Sequence, residues 1–294
     1  MSIILNGNLS CFKQLKSEFP SQVVESLPDG REIKAFSSMK IGVINLMPTK
    51  EVTERQWSTL MVSSIHWVEP IWIQMSSYEP KNVASHYLNE HYVSAQTLDL
   101  SSIGGVILTG APIEHLVFED VDYWEELSEL LDRITAANIP ILSVCWGAQA
   151  LLYKRYGVDK HALDKKCFGV FEHQVQGNHQ LTRSLNETVY LPHSRHTGWK
   201  TESLESVEQL EILIESKEVG VFALEDCEGD MYWSGHPEYE SDTLLLEYQR
   251  DLEKGINIEI PRGYGCDKKG NYAIENPWGD AAKQLLSNWL NEIK

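Results

Sequence analysis

Several features are missing from this sequence, and each absence excludes a class of protein. No apolar run approaches the roughly 18 residues that a membrane-spanning helix needs. The N-terminus has no basic segment ahead of its short apolar stretch, residues 3–5, so we expect no signal peptide. The 5 cysteines are scattered without C-x-x-C spacing, which argues against a disulfide framework and against a zinc ribbon. A reducing, cytoplasmic location fits these absences best.

Positive charge is also scarce in this chain. There are 25 Lys and Arg residues against 43 Asp and Glu residues, which gives a net charge of −18. This balance disfavours nucleic acid and anionic membranes as partners. Any anionic co-substrate would need a local basic patch to overcome the overall repulsion, and the sequence does not indicate where such a patch lies.

What is present is a repeated alternation of apolar strands with amphipathic helices. The chain has 294 residues, 42% of them hydrophobic, and no internal repeat or linker, so we expect a single domain over residues 1–294. The alternation predicts an α/β fold with a doubly wound, mostly parallel sheet of the flavodoxin-like type, covered on both faces. The strands predicted in the first half are Lys40–Leu46, Trp67–Met75, Ser102–Thr109 and Ile141–Val144.

The pattern divides the chain into three sections. Residues 1–38 show no strong period and are predicted to form an irregular N-terminal arm that contains a turn at Leu27–Gly30. Residues 40–157 hold the first β-α units and a turn with a cysteine, and residues 158–294 hold a Gly-His-Pro-Glu segment and a C-terminal helix. Ligands of parallel sheets bind beyond the carboxyl ends of the strands. We therefore expect the site near three loops, Asn45–Thr49, Thr109–His115 and Cys145–Gly147.

The segment IPILSVCWGAQALLYKRYG, residues 139–157, places Cys145 where a buried strand turns into a helix. The unpaired N–H groups and the positive dipole of a helix N-terminus stabilise a thiolate. Gly147 allows a tight turn, and the geometry is that of a nucleophile elbow with sulfur in place of oxygen. A cysteine at a strand end can also be an inert, buried small side chain, and this segment alone leaves both interpretations open.

A thiolate nucleophile needs a base, and the base needs a group that orients it. His236 and Glu238 could supply both, because they follow a predicted strand and the carboxylate can hold the imidazole tautomer from behind. The alternative is a rigid His-Pro turn with a solvated glutamate.

Other titratable side chains allow a metal site or an anion site. His193 and His196 are three residues apart, and His173 or His236 could join them, but Arg195 lies between the first two and a fixed cation disfavours a metal. We therefore predict no metal. Cations that could contact an anionic substrate, or could equally be solvated, are Lys166, Arg195 and Arg250.

Six segments together resemble one protein family. They are NLMPTKEVTERQW, LTGAPIEHLVFEDVDYWEEL, VCWGAQALLYKRYG, FGVFEH, PHSRHT and SGHPEYESDTLLLEYQRD, in this order from about residue 40 to residue 251. They are similar to the homoserine O-acyltransferases of the homoserine trans-succinylase type. The resemblance implies a class I glutamine amidotransferase-like fold with a cysteine elbow, and it suggests a homodimer.

The resemblance also implies roles for individual residues. The cysteine of CWGAQ, Cys145, would carry the acyl thioester, and the GHPE segment would supply His236 as the base and Glu238 as its orienting group. The substrate-binding positions would be Lys166, Ser194 and Arg250. No permanently bound cofactor is implied, and the acyl donor is a co-substrate.

In this family a glutamate in the loop after TGAP resembles the acetyl-CoA type, whereas a glycine accompanies succinyl-CoA. The residue here is Glu114, whose carboxylate would repel the free carboxylate of a succinyl group. The C-terminal segment departs from the family, since Trp278-Gly279-Asp280-Ala281 replaces the usual Trp-Arg-x-His. This departure leaves the acceptor open between homoserine and serine, which differ by one methylene group worth only ~1–3 kcal/mol of discrimination.

The expected reaction is a ping-pong acetyl transfer from acetyl-CoA through Cys145 to L-homoserine, in methionine biosynthesis. We expect the backbone N–H of Trp146 and one donor from the 45–47 loop, Leu46, to form the oxyanion hole. The alternatives are L-serine as acceptor in cysteine biosynthesis, succinyl-CoA as donor, a glutamine amidotransferase-like amidase, and a module that binds without catalysis.

Overall fold

Strands and helices alternate in this computed structural model, which describes residues 2–26, 38–78, 82–266, 272–273 and 276–293. No helix among them combines the length and the apolar character needed to cross a membrane. The strands of these residues are β1 (Ser2–Leu5), β2 (Val23–Glu25), β3 (Met39–Ile44), β4 (Trp67–Gln74), β5 (Tyr92–Ser94), β6 (Ile103–Leu108), β7 (Ile141–Val144), β8 (His161–Val175), β9 (Thr188–Gly198), β10 (Leu210–Ser216), β11 (Gly220–Asp226), β12 (Met231–Trp233), β13 (Gly265–Cys266) and β14 (Tyr272–Ala273). The helices are α1 (Phe12–Glu18), α2 (Lys50–Met61), α3 (Ser85–His91), α4 (Trp124–Ala136), α5 (Trp146–Tyr156), α6 (Thr201–Glu205), α7 (Thr243–Glu253) and α8 (Gly279–Glu292).

One sheet contains 12 of the described strands, in the order β2-β1-β4-β3-β6-β7-β12-β11-β10-β8-β9, with β5 paired to β4. The pairs from β2 to β7 are parallel, and β12 adds to β7 in parallel as well. The pairs from β12 to β9 are antiparallel. The predicted α/β fold with a mostly parallel sheet is confirmed, and the antiparallel part is confined to the second half of the chain.

Successive residues of the central strands pack into two different hydrophobic clusters. Val43 and Ile107 belong to a cluster that includes the apolar side of α8, whereas Ile44 and Leu108 belong to a cluster that includes α4 and α5. Because successive side chains of a strand point to opposite faces, the two clusters lie on the two faces of the sheet. Burial on both faces explains why these strands are continuous apolar runs in the sequence.

The chain reverses its direction across the sheet at β3. β4 lies on one side of β3, and β6, β7 and β12 follow on the other side. A reversal of this kind opens a crevice at the carboxyl ends of parallel strands. The segments that leave β3, β6, β7 and β12 at this edge begin at Asn45, Thr109, Cys145 and Ser234.

The prediction of an irregular arm over residues 1–38 is wrong for the part that the structure describes. β1 pairs in parallel with β2 and with β4, so the N-terminus extends the main sheet. These elements gave no clear pattern because β1 has only 4 residues and Leu15 is the one buried residue of α1. The turn predicted at Leu27–Gly30 lies outside the described residues.

The antiparallel hairpin of β8 and β9 was not foreseen from the sequence. β8 has 15 residues and β9 has 11, and their pairing runs from His161 with Gly198 to Gln174 with Thr188. In the first half of β8 none of the residues is fully buried, and the register shifts between Ala162 and Cys167, so this part has no regular alternation of apolar residues. This hairpin matters for function because it carries Lys166 and Ser194.

Candidate active site

Cys145 occupies the turn between β7 and α5. Its φ is 51°, a left-handed value that is rare for residues other than glycine, and its N–H donates to the Trp233 carbonyl oxygen over 2.7 Å. A glycine is required two residues further on, at Gly147, because a Cβ there would lie 2.8 Å from the Leu108 carbonyl oxygen. The predicted strand-to-helix elbow is therefore present, with the buried Cys145 at the N-terminus of α5.

His236 reaches the same place because β12 is the neighbour of β7. Val144 and Trp233 are paired residues of these two strands, and the chain continues from them to Cys145 and to Ser234-Gly235-His236. A Cβ built on Gly110 would lie 3.2 Å from Cys145 Cβ and 3.4 Å from His236 Cε1, so both side chains contact one point of the loop after β6.

Glu238 holds His236 from behind. Its Oε1 lies 2.7 Å from His236 Nδ1, and only 8% of the residue is exposed, which excludes the alternative of a solvated glutamate. With Nδ1 engaged by the carboxylate, Nε2 is the ring nitrogen left to face the thiol. The ring also stacks on Tyr239, with 4.4 Å between the ring centroids.

The charges around His236 favour its protonated form. Burial by itself would lower the pKa of the imidazole, but the charges of Glu238 and Cys145 and hydrogen bonds to both raise this pKa well above its ordinary value. An imidazolium beside the thiol stabilises a thiolate at neutral pH. The imidazole can therefore hold the proton that Cys145 gives up when it attacks.

A second polar cluster lies beyond Tyr239. The Tyr239 hydroxyl donates to Glu247 Oε1 over 2.6 Å, and the Ser194 hydroxyl donates to Glu247 Oε2 over 2.5 Å. Lys166 Nζ lies 3.4 Å from Glu247 Oε2 and 3.4 Å from Asp251 Oδ2. The structure thus brings Lys166 and Ser194 together around two carboxylates that the sequence analysis did not select.

Arg250 lies at the rim of this cluster, paired with Asp251 Oδ1 at 2.7 Å, with 53% of its side chain exposed. Glu247 and Asp251 are four residues apart on α7, a spacing that places two side chains on one helix face. That spacing, next to Arg250, is the signal by which the sequence could have pointed to them.

The backbone donors of the loop after β3 are engaged within the protein. The Leu46 N–H donates to Thr109 Oγ1 over 2.9 Å, the Met47 N–H donates to Asn45 Oδ1 over 3.2 Å, and the Asn45 N–H donates to the Ile73 carbonyl oxygen over 3.1 Å. Leu46 therefore has no free N–H for an oxyanion in this structure. The Trp146 N–H is in the first turn of α5, where helical N–H groups have no partner within the helix.

The loop after β3 also borders a cavity of about 260 Å³, and α2, which follows the loop, begins with a buried lysine that sequence analysis missed. Lys50 Nζ donates to the Asn45 carbonyl oxygen over 2.5 Å, and burial lowers the pKa of this lysine to about 8 although the nearby Glu54 opposes the shift. The cavity is lined mainly by apolar side chains of this loop and of the loop after β6, including Met47, Pro48 and Ile113.

Glu114 is half-buried on the loop after β6. Its negative charge acts on Lys160, whose Nζ lies 3.5 Å from the centroid of the Phe118 ring. Burial lowers the pKa of Lys160, and the carboxylates of Asp159, Glu119 and Glu114 act in the opposite direction.

The histidines considered for a metal do not assemble into a site. His193 and His173 are in direct contact and fully buried, whereas His196 is exposed. Among the described residues, no group of three or more His, Cys, Asp or Glu side chains could hold a metal ion. Arg195 is 3% exposed and donates to the carbonyl oxygens of Thr197 and Val219, so it is not the anion contact that the sequence suggested.

Comparisons with known proteins agree on one family. The family model described as homoserine O-succinyltransferase matches residues 2–294. A homoserine O-acetyltransferase of Bacillus subtilis (strain 168) is 41% identical over 99% of this chain and 96% of its own length. A homoserine O-acetyltransferase of Petrotoga mobilis is 39% identical over 99% of this chain and 94% of its own length.

Two of the solved structures that resemble this fold are glutamine amidotransferases. The chain matches a glutamine amidotransferase of Methylobacillus flagellatus with a TM-score of 0.56 and 11% identity, over 88% of this chain and 96% of the other. It matches a glutamine amidotransferase of Thermotoga maritima with a TM-score of 0.56 and 13% identity, over 87% and 97%. At these identities the likeness shows a shared fold alone, which confirms the predicted fold class.

Proposed function

This chain belongs to the homoserine O-succinyltransferase family and is an acyltransferase, and from this premise we propose that it transfers an acetyl group from acetyl-CoA to the hydroxyl of L-homoserine, in methionine biosynthesis. One observation carries the proposal. Cys145 lies at a helix N-terminus against the His236–Glu238 pair, and Tyr239 links that pair to the polar cluster at Glu247.

In the first half-reaction, Cys145 attacks the carbonyl carbon of the acetyl thioester as a thiolate, after its proton has passed to His236. The bond between that carbon and the CoA sulfur then breaks, and the departing thiolate takes the proton from His236. The products are an acetyl-Cys145 thioester and free CoA. One thioester replaces another, so the step needs no external energy source.

In the second half-reaction, the acceptor hydroxyl attacks the acetyl-Cys145 carbonyl while His236 removes its proton. Cys145 leaves as a thiolate, and the imidazolium that results is stabilised by Glu238 at 2.7 Å. The same base thus serves both halves of the ping-pong cycle.

The negative oxygen of each tetrahedral intermediate needs two hydrogen-bond donors. We assign one to the Trp146 N–H, as expected from the sequence. The second falls to the Gly110–Ala111 segment rather than to Leu46, since Gly110 contacts Cys145 and the Leu46 N–H is engaged by Thr109. Losing one such donor typically costs about 3–4 kcal/mol of transition-state stabilisation.

The acceptor is an amino acid, and the cluster at α7 offers both charges that its backbone groups require. The carboxylates of Glu247 and Asp251 suit the ammonium group, and Lys166 and Arg250 suit the carboxylate. Ser194, whose hydroxyl already contacts Glu247, completes the proposed acceptor site.

The donor is proposed to be acetyl-CoA because Glu114 adds a negative charge to the loop that borders Cys145. The relatives described above carry the acetyl name, whereas the family description names the succinyl reaction. The apolar cavity beside Ala111 and Ile113 offers space for the uncharged part of the donor. A succinyl group would bring a second carboxylate against Glu114.

A steady-state comparison of L-homoserine and L-serine, each with acetyl-CoA and with succinyl-CoA, tests donor and acceptor together. We expect the highest kcat/KM for homoserine with acetyl-CoA. A preference for serine would place the enzyme in cysteine biosynthesis. Ammonia release from glutamine would indicate the alternative activity, a glutamine amidotransferase-like amidase.

Intact-mass measurement with acetyl-CoA and no acceptor tests the covalent step. Wild type should gain one acetyl group, and Cys145→Ala should gain none. An equal gain in both proteins, with the label on another residue, would rule out the thioester route.

We further propose that the enzyme is a homodimer that works in a reducing compartment such as the cytoplasm. The family resemblance supports the dimer, and the free thiols Cys11, Cys145, Cys167 and Cys227 support the compartment. Analytical ultracentrifugation decides the first point, because a monomer at micromolar concentration would contradict it.

A further inference from the structure

Two buried histidines and a buried arginine form a continuous hydrogen-bond chain beneath the catalytic loop. Arg195 Nε lies 3.3 Å from His193 Nδ1, His193 Nε2 lies 3.0 Å from His173 Nε2, and His173 Nδ1 lies 2.9 Å from the Phe171 carbonyl oxygen. His173 and His193 are 0% exposed, and Arg195 is 3% exposed. None of these side chains has a role in the mechanism above.

The groups at the two ends of this hydrogen-bond chain, Arg195 and the Phe171 carbonyl, determine the tautomers of both histidines. Arg195 can only donate, so His193 Nδ1 must accept and His193 Nε2 must carry the proton. The Phe171 carbonyl can only accept, so His173 Nδ1 must carry its proton and His173 Nε2 must accept from His193. Both rings are therefore neutral and each has one possible orientation. Burial and the charge of Arg195 lower the pKa of both, to about 4 for His173, which is consistent with the neutral form.

His193 lies between two residues that serve the active site. The Pro192 carbonyl oxygen accepts a hydrogen bond from the His236 N–H over 2.9 Å, and the Ser194 hydroxyl contacts Glu247 on the acceptor side. The His193 ring also packs under Gly235, where a Cβ would lie 3.1 Å from His193 Cε1. Because side chains alternate along a strand, His193 points inward while Ser194 faces the acceptor cluster.

The other end of the chain reaches the helix of the nucleophile. Arg195 donates to the Thr197 carbonyl oxygen over 2.7 Å, and the Thr197 hydroxyl donates to Gln149 Oε1 over 2.9 Å. The Gln149 N–H in turn donates to the Cys145 carbonyl oxygen over 3.1 Å. One hydrogen-bond network therefore links the backbone of Cys145 to β9, the strand whose Pro192 carbonyl accepts from the His236 N–H.

We propose that His193 is a positioning residue for the base: through its bond from Arg195 and its packing under Gly235 it fixes the Pro192–Ser194 segment, and thereby sets His236 against Cys145. The inference rests on the proposed role of His236. It gives a function to His193, a buried residue of the PHSRHT segment, whereas Ser194 of the same segment faces the acceptor cluster.

The test compares His193→Phe with His173→Phe, both studied in the full-length protein. Each variant replaces one buried imidazole by a ring without nitrogen atoms. His193 packs under Gly235, whereas His173 contacts His193 and the Phe171 carbonyl oxygen. We expect His193→Phe to lower kcat/KM at least tenfold in both half-reactions and to shift the pH profile of kcat/KM. We expect His173→Phe to stay within threefold of wild type with an unchanged profile, and His193→Gln, which keeps a donor and an acceptor, to recover most of the activity.

A folded His193→Phe protein with the wild-type rate and pH profile would overturn the proposal, as would equal losses in both Phe variants that follow their losses in Tm. If His193→Phe does not fold, His193→Asn replaces it, since the smaller amide removes the ring that packs under Gly235, and the same two outcomes decide. Wild-type activity of His236→Asn would instead refute the proposed function itself, so the two failures can be told apart.

Discussion

Glu238 controls the charge state of His236, because its carboxylate lies 2.7 Å from Nδ1 within a buried site. Burial opposes a charged imidazole, yet the pKa of His236 is raised well above its ordinary value by Glu238 and Cys145. An amide in place of this carboxylate would keep a hydrogen-bond partner but remove the charge. The imidazolium, whose charge faces the attacking Cys145 sulfur, would then be less stable.

Glu238→Gln is therefore expected to lower kcat/KM by about 10²–10⁴-fold, the range that a general base typically contributes. Its pH profile should show the histidine limb at lower pH, because the pKa of His236 falls without the carboxylate. Alkylation of Cys145 by iodoacetamide at pH 7 should slow in parallel, which separates loss of thiolate from loss of substrate binding.

Glu240→Gln is the matched control for this change. Glu240 lies two residues further along the same segment and pairs with Arg55 at 2.9 Å. The Glu240→Gln variant should therefore be alkylated by iodoacetamide at the wild-type rate. Equal slowing in the two variants would mean that the surrounding negative charge, and not the contact with Nδ1, governs the thiol.

The sequence could point to Cys145, His236 and Glu238 because each sits in a short motif whose chemistry depends on local spacing. The four-residue spacing on α7 could single out Glu247 and Asp251 as neighbours on one helix face, but it could not show the contacts with Tyr239 and Ser194 from other elements that give Glu247 its role. Nor could the sequence show that Thr109 engages the Leu46 N–H, since that bond joins residues 63 positions apart.

At the level of elements, α7 presents its polar face to the acceptor cluster, and Glu247 accepts from Tyr239 and Ser194 while facing Lys166. Glu247→Gln should raise KM for homoserine about 10–150-fold, because a hydrogen bond to a charged group contributes about 1.5–3 kcal/mol. The burst of CoA released before the acceptor binds should be unchanged. Glu253→Gln, an exposed position on the same helix, is the control and should change neither quantity.

The end of β6 must approach the nucleophile closely, and Gly110 makes this possible. Gly110→Ala would place a methyl group 3.2 Å from Cys145 Cβ and 3.4 Å from His236 Cε1, so Cys145 must shift by a few tenths of an ångström relative to His236. We expect kcat to fall roughly 10–100-fold, since small displacements of reacting groups cost up to about 10²-fold. The measurement is single-turnover acetylation of Cys145 followed by mass spectrometry.

Gly104→Ala offers a control at the start of the same region of the chain. Its methyl group would meet Ile293 and Met39 at 3.3 and 3.4 Å, a similar crowding away from the site. If both variants lose the same activity, the loss comes from general strain in the sheet and the argument for Gly110 fails.

The parallel strands could be predicted because both of their faces are buried and their sequences are continuous apolar runs. The β8–β9 hairpin could not, because the first half of β8 carries three consecutive charged residues, Asp164, Lys165 and Lys166, which remove the alternation that marks a strand. One of these charged residues, Lys166, belongs to the proposed acceptor site.

In the molecule as a whole, several buried groups change their protonation on unfolding, and they act in opposite directions on stability. Burial lowers the pKa of His173 from 6.5 to about 4, so the unfolded chain binds a proton there that the folded protein does not. Burial raises the pKa of Asp230 to about 7, so there the folded protein binds the additional proton. The total pH dependence therefore cannot be assigned to one group, and a comparison between variants is needed.

His173→Gln isolates one of these contributions. The depressed pKa of His173 means that its contribution to stability is complete above pH 6.5 and is lost as the pH falls towards 4. Within this window the free energy of unfolding of wild type should fall more steeply with decreasing pH than that of the variant, by up to ~1.4 kcal/mol per pH unit for one proton. Urea titrations at pH 4.5, 5.5 and 7.5 measure the difference, and His196→Gln, at an exposed position, should follow wild type. Identical slopes for wild type and His173→Gln would show that His173 is already protonated in the folded protein, and the tautomers assigned to the buried chain would then be incorrect.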